Sequence, residues 1–263
     1  MGTSILLIDL DIIIYRICWA CQDETHWDDD VITLSVSKKE LEVQLDASLH
    51  HYLSKLDTKE MILCASDKNN FRRKILPSYK ENRKSKRKPL GYKHLLQYAL
   101  DNYNCRIMEG LEADDVLGII ATTPDELNKE KIILSIDKDM LTIPCSHYNL
   151  DKDTLVTVSK EEADYNFYIQ VLTGDAVDNY KGCPGIGPVK ASNLLLGCVS
   201  EESYWNRVLG AYLKAGLTEE VALVQARVAR ILRHEDYNYF KKDVRLWEPK
   251  RSSTPYVENV KAG

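Results

Sequence analysis

The sequence predicts an α/β fold, a mostly parallel central sheet flanked by helices, followed by a region of helices alone. Three observations carry that expectation. Short apolar runs of β type near residues 4–8, 61–65, 105–108 and 130–136 alternate with amphipathic stretches, the order that builds a parallel sheet. Three of these runs lead into acids at or just past their carboxyl ends, where open α/β sheets build their sites. Beyond residue 200 the apolar spacing is helical only.

The composition sets outer limits. With 263 residues, 44% hydrophobic and 29% charged, the chain has the balance of a soluble globular protein. A net charge of −5 argues against a nucleic-acid partner only if the charge is spread evenly, and it is not. No apolar run is long enough for a membrane helix, and the first residues lack the basic flank and cleavage site of a signal peptide. Met1-Gly2 opens like a myristoylation signal, but Leu6 stands where Ser or Thr is required. Seven scattered cysteines suit free thiols in a reducing compartment, so a cytoplasmic location is expected. Cys18-Trp19-Ala20-Cys21 lacks the second pair that a zinc site needs and reads as core.

Taken in order, Ser4 to Ile8 is a strand of the doubly buried kind, with Asp9 at its carboxyl end and a helix from Ile12 to Cys21. Asp28, Asp29 and Asp30 read as a solvated loop. Leu41, Leu45, Leu49 and Leu53 line one face of a helix over 39–56. Met61 to Ala65 is the next strand, and Asp67 lies just beyond it. From Lys68 to Lys88 ten cations, among them Arg72, Arg73, Lys80, Arg83 and Lys84, face a single acid, Glu81. Such a tract repels itself unless an anion lies beside it, and the interleaved Phe71 and Tyr79 suit phosphate contacts with stacking. A helix over 91–103 and a strand over 105–108 lead to Leu111-Glu112-Ala113-Asp114-Asp115, whose three acids open an apolar helix containing Val116, Ile119 and Ile120.

Ile132 to Ile136 is a further strand, ending in Asp137-Lys138-Asp139. The carboxyl edge then gathers Asp9, Asp67, Glu112, Asp114, Asp115, Asp137 and Asp139. Bare carboxylates so crowded raise one another's pKa and weaken a fold, and hard oxygen ligands select magnesium or manganese. Two such ions suit an in-line phosphoryl displacement. A calcium loop fails on spacing. After a short strand at 154–158 and a helix at 160–172, Asp175 and Asp178 are spaced to share a helical face. Gly185-Ile186-Gly187 precedes a helix with Pro188 in its first turn and Lys190 behind it, an arrangement that lets backbone N–H groups approach phosphate. Arg227, Arg230 and Arg233 are expected to pair with Glu235, Asp236 and their neighbours, and residues 250–263 read as a polar tail.

These motifs, in this order, resemble the flap endonuclease/5′ nuclease family, and most of all the short phage 5′→3′ exonucleases of the T-odd podovirus type. The similarity rests on Ile8-Asp9, Ser66-Asp67, Pro77-Ser78-Tyr79-Lys80-Glu81-Asn82-Arg83, Glu112-Ala113-Asp114-Asp115, Asp137-Lys138-Asp139, Thr173-Gly174-Asp175-Ala176-Val177-Asp178, Ala229 to Arg233 and Leu246-Trp247-Glu248-Pro249. It implies a nuclease core (1–165) with a basic arch or clamp (68–104), and a helix-three-turn-helix DNA-binding module with C-terminal helices (166–263). It also implies metal-dependent hydrolysis of duplex DNA from 5′ ends, with flap and RNA–DNA hybrid cleavage as further activities, and potassium at the glycine hairpin. Asp9, Asp67, Glu112 and Asp114 match a first metal cluster; Asp115, Asp137, Asp139, Asp175 and Asp178 match the carboxylates around a second. Lys80 and Arg83 match the pair that contacts the scissile phosphate. Arg72, Arg73, Tyr79, Lys84, Gly185, Gly187 and Lys190 are expected to touch DNA, and the protein is expected to be a monomer. The 45 positions between Asp67 and Glu112 (112 − 67) are fewer than a full helical arch occupies, which favours exonucleolytic action on duplex ends over threading. Two alternatives are an inactive DNA-end clamp on the same fold and a PIN-type ribonuclease; the complete carboxylate set opposes the first, the glycine hairpin the second.

Overall fold

The computed structural model describes residues 4–28, 31–83, 87–124 and 129–250. Strand β1 (Ile5–Asp9) forms where three consecutive aliphatic residues, Leu6, Leu7 and Ile8, are wholly buried. It passes without a loop into α1 (Leu10–Ala20), because Asp9 accepts a hydrogen bond from Ile12 N at 3.3 Å and so caps the helix. The acids at 28–30 were expected in a loop, and Asp28 instead ends a strand: β2 (Asp23–Asp28) pairs antiparallel with β3 (Val31–Ser35). Trp27 and Ile32 on this hairpin are exposed, so no in–out alternation marked it beforehand. Helix α2 (Lys38–Lys55), capped by Ser37, buries Leu41, Leu45 and Leu49 as expected.

Next come β4 (Glu60–Cys64), the single turn α3 (Arg72–Ile75), a 3₁₀ turn (Glu81–Arg83), α4 (Tyr92–Asn102), β5 (Cys105–Arg106) and α5 (Ala113–Thr122). Strand β6 (Lys131–Ser135) runs into a 3₁₀ segment (Lys138–Thr142), then β7 (Ser146–Asn149) and β8 (Thr154–Thr157). The sheet order is β5-β4-β1-β6-β7-β8, parallel throughout except where β8 pairs antiparallel with β7. Strand β7, Ser-His-Tyr-Asn, has no apolar run to announce it. Its polar side chains are buried by pairing instead, with Ser146 bonded to Glu130 and Thr157 and His147 to the Ile143 carbonyl.

Helices α1, α2 and α4 cover one sheet face with Ile14, Leu45 and Leu95. Helix α5 and residues 231–232 cover the other, where Gly118 is obligatory: a Cβ there would stand 2.3 Å from the Leu232 carbonyl oxygen. A third core joins α6 (Lys160–Thr173), α7 (Pro188–Leu195), α8 (Glu201–Lys214) and α9 (Glu219–Ala229) around Phe167, Tyr168, Trp205 and Tyr212. The short strands β9 (Tyr237–Asn238) and β10 (Asp243–Val244) follow. Helix α6 runs unbroken through the boundary expected at 165–166. All seven cysteines are free. Among the described residues no helix is long and apolar enough to cross a membrane.

Candidate active site

Because β4, β1 and β6 are adjacent and parallel, their carboxyl ends lie side by side. That geometry puts Asp9, Asp67, Asp137 and Asp139 on one edge. Helix α5 begins at the same edge and adds Glu112, Asp114 and Asp115. Asp9 is 2% exposed and accepts from Ser135 Oγ at 3.1 Å. Asp67 accepts from Gly110 N at 2.9 Å, a bond that holds its carboxyl below the usual range. Asp137 receives Asp139 N at 2.9 Å, and Asp139 receives Gln170 Nε2 at 2.7 Å.

The basic tract closes over this edge at Lys80, whose ammonium sits 2.5 Å from Glu112 Oε1 and 3.4 Å from Asp178 Oδ2. Arg83 meets Asp178 Oδ1 at 2.5 Å. Tyr79 OH donates to Glu112 at 2.9 Å and to Asp178 at 3.0 Å. The tract is stitched to residues 175–179 through its backbone: Lys80 N donates to the Asp178 carbonyl, and Asn179 Nδ2 to that of Ser78. Lys80 has a φ of 52°, a left-handed conformation that a non-glycine residue adopts only under surrounding constraint.

Three expected roles change. Arg72 was assigned to DNA, but it is 2% exposed and spends its guanidinium on Asp115 (two bonds of 2.7 Å) and on the carbonyls of Val228 and Arg230. Asp115, assigned to a metal, is wholly buried with both oxygens on Arg72, and it also accepts from Leu232 N at 3.1 Å. Tyr79, assigned to stacking on DNA, is 3% exposed with its ring in the third core. Asp175 and Asp178 do not share a helical face either. Residues 175–180 form a loop closed by a backbone bridge, in which Asp175 Oδ1 accepts from Val177 N at 2.6 Å, the local turn that aspartate favours. The loop nevertheless brings Asp178 to Lys80. Arg73 is exposed, as is Lys190, whose Nζ reaches the Gly185 carbonyl at 3.0 Å. Lys84 lies outside the described residues. Gly185 (φ 72°) forms the turn and Gly187 caps α7, with open space at both. Of the expected arginine pairs, Arg230 meets Asp236 and Glu235, while Arg233 meets Asp164 and Arg227 meets Glu248.

Burial and mutual repulsion shape the edge electrostatically. Burial first, then Asp11 and Asp137, push Asp9 up to about 7. Burial, Asp137 and Asp175 push Asp139 to about 7, and burial with Asp9 raises Asp114 well above the carboxylate range. Glu112 goes the other way: burial would raise it, but Lys80 and Arg72 outweigh burial and hold it at about 2. The Glu112 and Asp178 carboxylates likewise outweigh burial at Lys80 and raise its pKa, so its ammonium stays charged.

The donor set at this edge bears on a divalent metal. Oxygen-only, buried and mutually repelling, it fits magnesium or manganese in chemistry. Its side chains are arranged otherwise, since among the described residues no three are gathered around one ion position, and Glu112 and Asp178 are turned onto Lys80 and Arg83. Three supporting residues went unread in the sequence: Ser135, Gln170 and Asp11, which accepts from Ser66 N and Tyr92 OH beside Asp9. Polar residues without a pattern carry no signal; only Asp11 had one, an acid two positions after Asp9 at the end of the first strand.

A parallel sheet with an acidic carboxyl edge, overhung by a cationic segment, defines an α/β nuclease. Residues 4–168 match the family model described as 5′-3′ exonuclease, N-terminal resolvase-like domain, and the chain belongs to that family. It is 29% identical to the exodeoxyribonuclease of Enterobacteria phage T3, over 94% of this chain and 93% of that one. It is 28% identical to the exonuclease of Escherichia phage T7, over 94% of each. Its fold is that of the bacteriophage T5 D15 flap endonuclease, solved as a complex with DNA and metal ions: the TM-score is 0.63 at 15% identity, covering 86% of this chain and 88% of that one. The protein is a 5′-3′ exonuclease/flap nuclease.

Proposed function

We propose that the protein hydrolyses phosphodiesters of duplex DNA from 5′ ends, with flap and RNA–DNA hybrid cleavage at the same site. It acts as a cytoplasmic monomer, in the host cytoplasm if phage-encoded. One observation carries the reading: a half-buried Lys80, its pKa raised by Glu112 and Asp178, stands over carboxylates whose own charges repel. Asp9, Asp67, Glu112 and Asp114 would hold one magnesium or manganese ion, and Asp137, Asp139, Asp175 and Asp178 a second, some through water. When bound, the pair would supply an activated water and neutralise the leaving oxygen.

The chain's own residues do the rest. Asp115, fully engaged by Arg72, positions the start of α5 rather than ligating. Lys80 and Arg83 neutralise Glu112 and Asp178 in the resting protein and turn onto the scissile phosphate when substrate arrives. There a lysine that keeps its proton stabilises charge on a phosphoryl oxygen instead of acting as an acid. Gly185, Gly187 and Lys190, with potassium at the hairpin, grip the duplex backbone, which does not distinguish sequence. Among the described residues, positions 68–104 hold one helical turn, a 3₁₀ turn and α4, which packs on the sheet core, so a reduced clamp suits duplex ends.

Duplexes labelled at the 5′ or the 3′ end, incubated with magnesium or with chelator, test this. Chelator-sensitive release of 5′ label in short products is the expected result. Bound but uncut DNA in every metal would favour the inactive clamp.

A further inference from the structure

We infer that Arg72 is a positioning residue that couples duplex seating on the helical module to the catalytic carboxylates. The inference rests on the proposed function and adds a device to it. Arg72 stands at the joint of two helices. The Val228 carbonyl belongs to the last turn of α9, where a helix leaves its C=O groups unpaired, and Arg72 Nε reaches it at 2.9 Å. A second N–H reaches the Arg230 carbonyl at 2.7 Å, so the guanidinium caps α9 at the end where a helix favours a cation.

The other edge of the same planar fork holds the opposite kind of helix end. It binds Asp115, in the first turn of α5, through two bonds of 2.7 Å and reaches Oε2 of the N-cap Glu112 at 3.4 Å. Asp115 in turn receives Glu112 N at 3.2 Å and Leu232 N at 3.1 Å. A rotation of α9 therefore cannot leave Glu112 undisturbed without breaking a buried charged pair.

The path continues to the surface that meets DNA. Gln225, on α9, accepts from Gly182 N at 2.8 Å. Gly182 packs back to back on Gly174, where a Cβ on either would stand within 2.5 Å of the other's backbone. That tight crossing anchors the segment that carries Asp175 and Asp178 on one side and leads through Gly185 to Lys190 in α7 on the other. An unbroken series of contacts thus runs from the glycine hairpin through Gln225 and α9 to Arg72, Asp115 and Glu112. Duplex seated on the hairpin shifts α9 by a fraction of an ångström, and the fork transmits that shift to the carboxylates. A lysine at 72 would keep the charge and lose the fork.

The test compares wild type, Arg72→Lys and Gln225→Ala on 5′-labelled duplex. Three quantities are measured: duplex affinity in chelator, single-turnover cleavage at saturating DNA with magnesium, and amide hydrogen exchange of residues 112–118 in chelator with and without duplex. Wild type is expected to show slowed exchange at 112–118 on binding. Both variants should lose that response and cleave about tenfold more slowly or worse, because an ångström of misplacement can cost about a hundredfold. Their affinity should stay within about threefold, since a merely structural defect would scale with thermal stability and leave the exchange response of the folded protein intact. Wild-type cleavage and wild-type exchange response in either folded variant would overturn the inference. If Arg72→Lys does not fold, Gln225→Ala decides alone. If wild type itself neither binds nor cuts duplex, the proposed function falls and takes this inference with it.

Discussion

Raising the pH from 5.5 to 8 in chelator should destabilise the protein, and magnesium should reverse the loss. Asp9 and Asp139 ordinarily titrate at 3.8 and in the fold are pushed up to about 7. Their contribution is intact below the unfolded value and is lost as pH rises through the folded one, because the unfolded chain then releases protons that the fold retains. Of the span from 3.8 to about 7, the window from pH 5.5 covers about 1.5 pH units, which at 1.36 kcal/mol each sets a ceiling of about 2 kcal/mol per group. Halved for relaxation and for the shared repulsion, the two together come to about 2 kcal/mol, or about 5 °C in Tm for a domain of this size. Glu112, held at about 2, has the opposite sign: its contribution is present above its usual 4.5 and is lost only as pH falls toward 2, outside the window. His147, kept neutral by burial, opposes the trend only below its usual 6.5. Scanning calorimetry at both pH values, with chelator and with magnesium, measures the effect. A Tm that is flat or higher at pH 8 in chelator, or a magnesium increment no larger at pH 8 than at 5.5, would refute the electrostatic account of the edge.

Asp137→Asn should abolish cleavage while leaving duplex affinity within about threefold, and wild-type cleavage by that variant would remove the residue from the metal set. Lys80→Ala or Arg83→Ala should lower the single-turnover rate by at least about tenfold with a smaller change in binding; loss of affinity alone would make both residues backbone anchors. Gly118→Ala should cost about 1–3 kcal/mol in urea unfolding, because its Cβ would stand 2.3 Å from the Leu232 carbonyl, and an unchanged midpoint would show that α5 can move away.

Strands β1, β4 and β6 and helix α5 were legible because each carries an aliphatic run buried by the sheet itself. Asp9, Asp137 and the acids of α5 came with them, since a parallel strand delivers whatever follows it to the same edge. Strand β7 was illegible for the converse reason: its burial comes from pairing and side-chain hydrogen bonds, which leave no hydropathic trace. Asp175 and Asp178, three apart, fit a helix and an aspartate turn equally well in sequence, and the bridge to Tyr180 decides for the turn. Arg72 was the least readable. In a tract of cations nothing marks the one whose acceptor is a carbonyl 156 positions away.

That distance has a consequence for biosynthesis. The buried guanidinium of Arg72 and the carboxylate of Asp115 find their last partners at Val228, Arg230 and Leu232, more than a hundred residues further along the chain. During translation the sheet and its acidic edge emerge first, at about 5–20 residues per second. Until residues 228–232 have left the ribosome, the start of α5 lacks the groups that seat it. A nascent nuclease is thereby kept incompetent by its own connectivity, and gains its cutting geometry only when residues 228–232 can fold back onto the sheet.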